Sequence, residues 1–133
     1  MKFGDEEFDK FVDKHMRRAV AQTGYQLKRA DDQQKAGLID AQMRLDIKNA
    51  RFVIADLTHG SHGAYWEAGY AEGLGKPVIY TCRADVFEKE NGTHFDTNHH
   101  VTIKWSYNDP KPAMDRLKAT IRYTIPEAKQ HDN

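Results

Sequence analysis

One cysteine, Cys82, stands among 133 residues. A lone thiol excludes an internal disulfide and fits a reducing compartment. Charge of one sign is also missing: 20 basic and 20 acidic residues cancel. Bulk electrostatic capture of nucleic acid or of a membrane surface therefore has no basis here. No apolar run approaches membrane-spanning length, and the start of the chain is acidic and polar where a secretory signal would be basic and then apolar. Internal repeats and low-complexity segments are absent. Five of the histidines, His59, His62, His94, His99 and His100, match no compact zinc spacing, and the only cysteine falls at a predicted strand end. No metal and no cofactor are expected. The chain reads as one domain over residues 1–133, large enough for a core of its own and expected in the cytoplasm.

What is present is concentrated between Arg51 and Cys82. Phe52, Val53, Ile54 and Ala55 run without polar alternation, as a strand covered on both faces does, and Val78, Ile79 and Tyr80 repeat the pattern. Between them lie a polar Gly-rich loop, Leu57 to Gly63, and a short helical stretch rich in small residues. A strand, loop, helix and strand of this length predict a right-handed crossover between two parallel strands. On such sheets ligands bind beyond the carboxyl ends of the strands, and Asp56 ends the first one.

Glu67 is the carboxylate nearest that edge. With a helix starting near Ala64 it falls in the first turn, where the helix dipole favours negative charge. It shares a face with Ala71 and Leu74 at the i, i+4, i+7 spacing, which points it toward the sheet. Small residues at Ala68, Gly69, Ala71 and Gly73 allow close approach of helix to sheet. A carboxylate at a crevice mouth, with Asp56 opposite, suits attack on a sugar centre or stabilisation of its positive charge. The plainer reading is a helix glutamate placed for charge. A capping box is excluded because position 64 is Ala and not Ser or Thr.

The segments Asp56-Leu57-Thr58, Gly63 to Ala71 and Leu74-Gly75-Lys76-Pro77-Val78 resemble the nucleoside 2-deoxyribosyltransferase-like family, a relative of the TIR domains. Weaker agreement extends from Phe3 to about Trp105. The resemblance implies an α/β protein, a flavodoxin-like three-layer sandwich around a mainly parallel sheet, and an activity that cleaves N-glycosidic bonds. By the same resemblance Glu67 matches the nucleophile and Asp56 the sugar-binding acid; Phe3, Arg29, Asp31, Ser61, Gly63 and Tyr65 are the expected substrate-binding residues. The chain departs from the transferases at Ser61 and at Gly63-Ala64, where they often carry a second Asp and a Gly-Thr pair; this bears on the substrate and not on the nucleophile. Met1 to Gly4 resemble only the loop ending the family's first strand, so that strand is expected to be truncated, to be supplied by another chain, or to be replaced by a rearranged sheet. Family sites are commonly completed by a neighbouring subunit, which implies a homo-oligomer.

The remaining elements follow from periodicity. Asp5 is a candidate N-cap for a helix with Phe8, Phe11, Val12, His15, Met16, Ala19 and Val20 as its apolar stripe and Gly24 as its stop. His15 is expected at the core edge, with Arg17 and Arg18 on a solvated face. Residues 25 to 30 alternate as a strand, which places Arg29 and Asp31 at its carboxyl end. Arg29 there either holds a phosphate or ribose or pairs with Asp31 or Asp32. Ile39, Met43, Ile47 and Ala50 predict a helix with one buried face.

A long irregular segment, Arg83 to His99, follows the central unit, with a helical turn over Asp85 to Glu90. Within it His94, Phe95, Asp96 and Asn98 resemble bacterial TIR-like relatives. Val101, Ile103 and Trp105 predict an edge strand, and Asp109-Pro110 opens a final helix with Met114, Leu117 and Ile121 buried. The tail from Glu127 is expected to fray.

Three functions remain open on these grounds. The first is cleavage of a nucleoside or nucleotide at its N-glycosidic bond, by transfer or hydrolysis. The second is TIR-like cleavage of NAD in a defence system, and the third a non-catalytic nucleotide-binding module.

Overall fold

The computed structural model describes residues 5–29, 36–60, 62–90 and 102–132. Its first helical run consists of α1 (Glu6–Phe11), a π-helical turn (Val12–Met16) and α2 (Arg17–Gln22). Then come α3 (Ala36–Asn49), β1 (Val53–Asp56), α4 (His62–Gly73), β2 (Val78–Arg83), α5 (Ala84–Glu90), β3 (Thr102–Trp105) and α6 (Lys111–Thr124). Asp5 caps α1 as its position predicts: its side chain accepts from the Phe8 amide at 3.1 Å. Gly24 ends α2 at φ 92, a conformation that disfavours side chains with a Cβ.

Among the described residues the sheet is three-stranded and wholly parallel, in the order β1-β2-β3. Val53 stands opposite Val78 and Asp56 opposite Thr81, while Tyr80 meets Thr102 and Arg83 meets Trp105. The protein is thus of the α/β class, and its layout is consistent with a flavodoxin-like arrangement. Alternate residues of the strands feed two separate cores. Ile54, Ile79, Ile103 and Trp105 pack with Phe8, Phe11, Val12, Met16 and Val20 and with Met114, Leu117 and Ile121 of α6. Ala55, Leu57, Tyr80 and Cys82 pack with Ala68 of α4, with Val86 and Phe87 of α5 alongside. This explains the unbroken apolar runs: both faces of β1 and β2 are covered. Trp105 ties the first core together, stacked on Phe11 at 4.1 Å between ring centroids and on Phe8 at 5.9 Å. Each such aromatic pair adds about 1 kcal/mol beyond its buried area.

Five local expectations change. Residues 25–29 form no strand. Their alternation reflects one-sided packing, with Tyr25 edge-on to Phe52 and the Leu27 carbonyl accepting from Arg17 at 2.6 Å, and no ladder partner runs beside them among the described residues. Arg17 accordingly does more than cover a solvated face. Helix α4 begins at His62, two residues before the expected start, so Glu67 sits in its second turn and gains little from the helix dipole. Leu74 leaves the buried face because α4 ends at Gly73 and closes on Gly75, at φ 77, with Lys76 N–H bonded to the Ala71 carbonyl at 2.9 Å. The tail is docked and not frayed. Ile125 and Ala128 are buried, and the Lys129 amide donates to the Thr23 carbonyl at 2.8 Å. Asp132, paired with Lys118 and Arg122 at 2.8 Å each, has its carboxyl lowered to about 2 by those bonds.

The residues bordering and within α4 give a test of opposite signs. Gly75→Ala forces a Cβ into a left-handed backbone and is expected to cost about 1–2 kcal/mol. Gly69→Ala, in mid-helix where a Cβ meets nothing within 4 Å, is expected to stabilise by about 0.5–1 kcal/mol. Urea denaturation followed by circular dichroism measures both.

Candidate functional site

The carboxyl end of β1 is fixed by Asp56. Its side chain is only 3% exposed as a residue, and a carboxylate so far from water is costly unless its lone pairs are taken up. Three donors take them. Thr81 Oγ1 of β2 donates at 2.6 Å and Trp105 Nε1 of β3 at 2.9 Å, both to Oδ2; the Thr58 amide donates at 3.0 Å to Oδ1. The Thr58 hydroxyl in turn accepts from the Arg83 amide at 2.9 Å. Asp56 therefore spans all three strands and holds the start of the loop after β1, and it is not among the residues lining the cavity described next.

That cavity, about 330 Å³, runs along the edge of β1 away from β2, where β1 has no ladder partner among the described residues. Its walls come from both helical layers. Val20 and the segment Tyr25 to Arg29 close one side, Met43 and Ile47 of α3 another, and Phe52 to Ile54 the floor. Glu67 of α4 reaches it as well. The local sequence places Glu67 there: Ala64, Glu67, Ala68 and Ala71 form the buried stripe of α4, in which Glu67 is the one long side chain among three alanines. Glu67 is 7% exposed and Arg29 is 9% exposed, so two chargeable groups lie buried on the wall of a mainly apolar hollow. Wells with a few polar groups on apolar walls are the usual form of a small-molecule site.

Around Arg29 the groups belong to the carboxyl side of the sheet. Its guanidinium pairs with Asp9 at 2.8 Å, not with Asp31 or Asp32, and lies 5.6 Å from the centre of the Phe8 ring. His59, in the loop after β1, packs edge-on to the same ring at 5.0 Å and meets Asp5 through Nε2 at 3.0 Å. That hydrogen bond, with the cap on Phe8, holds the Asp5 carboxyl below its ordinary range. The residue that starts α1 thus also anchors the loop leading to α4.

Of the residues expected to form the site, Glu67 and Arg29 come together on the cavity wall. Tyr65 packs instead against the Leu57, Tyr80 and Cys82 core, and Gly63 is exposed on α4. Phe3, Asp31 and Ser61 lie outside the described residues, as do His94, Phe95, Asp96 and Asn98. The apolar walls at Tyr25, Leu27, Phe52 and Val53 were not anticipated as site residues, nor was the Asp5–His59 pair. Their signal was present, since Asp5 was legible as a cap and Tyr25, Leu27 and Arg29 as an alternation, but their meeting depends on tertiary packing. Among the described residues, no three of His, Cys, Asp and Glu converge as a metal would require, and no helix is long and apolar enough to cross a membrane.

No family model, curated protein or solved structure matches this chain.

Two outcomes follow from the buried groups. Asp56→Ala leaves the Thr81 hydroxyl, the Trp105 indole and the Thr58 amide without their acceptor, and is expected to cost about 3 kcal/mol by urea denaturation. Cys82 is pushed from 9.0 up to about 12, chiefly by burial and then by Asp56. Below 9.0 the thiol is protonated in both states and its contribution is complete; as pH rises toward 12 only the unfolded thiol ionises, so stability falls. The Tyr80 phenol, raised by burial and by its bond to Glu72, acts in the same direction. Denaturation midpoints measured from pH about 8 upward should decline, and less steeply in Cys82→Ala.

Proposed function

We propose that this protein cleaves the N-glycosidic bond of a nucleoside or nucleoside monophosphate, with Glu67 as the nucleophile. The observation that carries the reading is Glu67 itself, 7% exposed and on the wall of the 330 Å³ cavity together with Arg29. In the reaction the Glu67 carboxylate attacks C1′, the bond from C1′ to the base breaks, and the base leaves as it takes up a proton. A glycosyl ester on Glu67 remains. Water or a second base then attacks C1′ and frees the carboxylate, which gives hydrolysis or transfer. The apolar walls suit the flat base, and Arg29, which pairs with Asp9 and carries donors only, can also donate to a sugar oxygen or a phosphate. A volume at the lower end of small-molecule sites favours a mononucleoside over a dinucleotide such as NAD.

One observation favours a second reading. The acid that the family resemblance assigns to the sugar, Asp56, already receives hydrogen bonds from Thr58, Thr81 and Trp105. A hollow whose sugar-binding acid is engaged in the framework suits a module that binds a nucleotide and returns it unchanged.

Incubation with nucleosides, nucleoside monophosphates and NAD in separate panels, followed by chromatography, tests both. Release of free base that falls at least about 10³-fold in Glu67→Gln, with unchanged circular dichroism, is the expected result. Release that persists in Glu67→Gln removes Glu67 from the chemistry, and tight binding without turnover supports the binding module.

A further inference from the structure

The framework does not account for all of Asp46. This residue stands on α3 three residues after Met43 and one before Ile47, so the three share a face, and all of them line the 330 Å³ cavity. Its two oxygens are in unlike positions. Oδ1 accepts from Gln42 Nε2, one turn earlier on α3, at 2.8 Å, and from Lys28 Nζ of the segment after α2 at 3.2 Å. Oδ2 is buried and has no hydrogen-bond partner among the described residues. Leaving a buried acceptor in that condition is costly, and a folded protein keeps few of them. By contrast Asp56, the acid at the carboxyl end of β1, has both oxygens engaged. A short turn about χ2, a broad torsion for aspartate, sets Asp46 Oδ2 on the hollow, and only the exposed side chains of Gln42 and Lys28 have to follow. The donor that Oδ2 lacks is then supplied by what the cavity binds.

We infer that Asp46 selects the base: the cavity takes a nucleoside whose base carries an exocyclic amino group, and Asp46 Oδ2 accepts a hydrogen bond from it. The inference rests on the reading of the hollow as a nucleoside site. Within that reading the other polar groups are assigned. Glu67 faces C1′, and Arg29, a donor only, serves a sugar oxygen or a phosphate. A carboxylate beside Met43 and Ile47 stands instead against the apolar wall on which a flat base lies, where the polar edge of the base needs a partner. An ionised carboxylate accepts and does not donate, so it discriminates by sign. It attracts an amino group and repels a carbonyl oxygen at the same ring position. The ring N–H of an oxo base offers no substitute, because the carbonyl beside it projects further toward the acid. Adenine and cytosine meet this condition; hypoxanthine and uracil do not.

Calorimetric titration of the full chain carrying Glu67→Gln, which spares the ligand from turnover, tests the inference. The ligands are adenosine, purine riboside and inosine, cytidine and uridine, and their 5′-monophosphates. The amino members are expected to bind at least about 10-fold more tightly than their hydrogen and oxo counterparts. If Glu67→Gln binds too weakly to measure, ratios of kcat/KM for the chain with Glu67 intact give the same comparison. Asp46→Asn, added to the same chain, does more than weaken binding. Lys28 and Gln42 keep the amide oxygen at the Oδ1 position, which leaves the amide NH2 in place of Oδ2, and the preference shifts at least about 10-fold toward the oxo base. A merely structural role for Asp46 would weaken all ligands alike. Should Asp46→Asn lose its helical signal, the ligand series without it decides alone. Amino and oxo members bound alike, or a preference that Asp46→Asn leaves unchanged, overturns the inference and leaves the reading of Glu67 intact. So does an Asp46→Asn effect that separates ribonucleosides from 2′-deoxynucleosides and not amino from oxo bases, since it puts the acid at the sugar. Binding of none of the ligands, with base release absent from the unsubstituted chain, overturns both.

Discussion

A single buried carboxylate organises the sheet. Asp56 accepts from a hydroxyl on β2, an indole on β3 and the amide that opens its own loop. Parallel strands gain no register from hairpin turns, so their alignment has to come from crossovers and side chains. Here one acceptor with three donors fixes β1, β2 and β3 at their carboxyl ends, where the loops that build a site emerge. The stack of Trp105 on Phe11 and Phe8 then carries this alignment into the helical layer above. A polar group of this kind in an apolar core adds little net energy; what it supplies is a unique arrangement, since any slip in register leaves three donors facing no acceptor.

With the strands aligned, the hollow along β1 follows from what surrounds it. Val20 of α2, residues 25–29, Met43 and Ile47 of α3 and Glu67 of α4 enclose it. Arg29 and Glu67 enter that space from opposite layers, Arg29 from the segment after α2 and Glu67 from α4. The contact of Arg29 with Asp9, and of His59 with Asp5, ties both approaches to the first turns of α1.

How far the sequence foretells this depends on how far apart the partners lie. The β1–α4–β2 unit is legible because its signals are local: an unbroken β-branched run, a Gly-rich loop, a stripe of alanines and Lys76-Pro77 before the next strand. Asp5 and Gly24 are legible for the same reason, one as an acceptor for amides three residues on, the other as a backbone geometry. Tyr25, Leu27 and Arg29 misled because alternation reports only that one side is buried; it carries no information on whether a ladder partner exists. The engagement of Asp56 was illegible in a stricter sense, since its indole donor lies 49 residues away. The tail misled through composition. Polar residues after Pro126 suggested fraying, yet Arg122 reaches forward to the Lys129 carbonyl and to Asp132 and fastens it.

The π-helical turn from Val12 to Met16 has an effect on everything before it and after it. Such a turn takes in one residue more than an α turn does, so it works as a phase shifter between two otherwise ordinary helices. A regular helix continuing from Phe8, Phe11 and Val12 would carry both His15 and Met16 on its apolar stripe. With the wide turn in place Met16 is fully buried and His15 lies at the margin against Phe11, its ring basicity reduced chiefly by burial. A thioether, and not an imidazole, thus fills the middle of the first core.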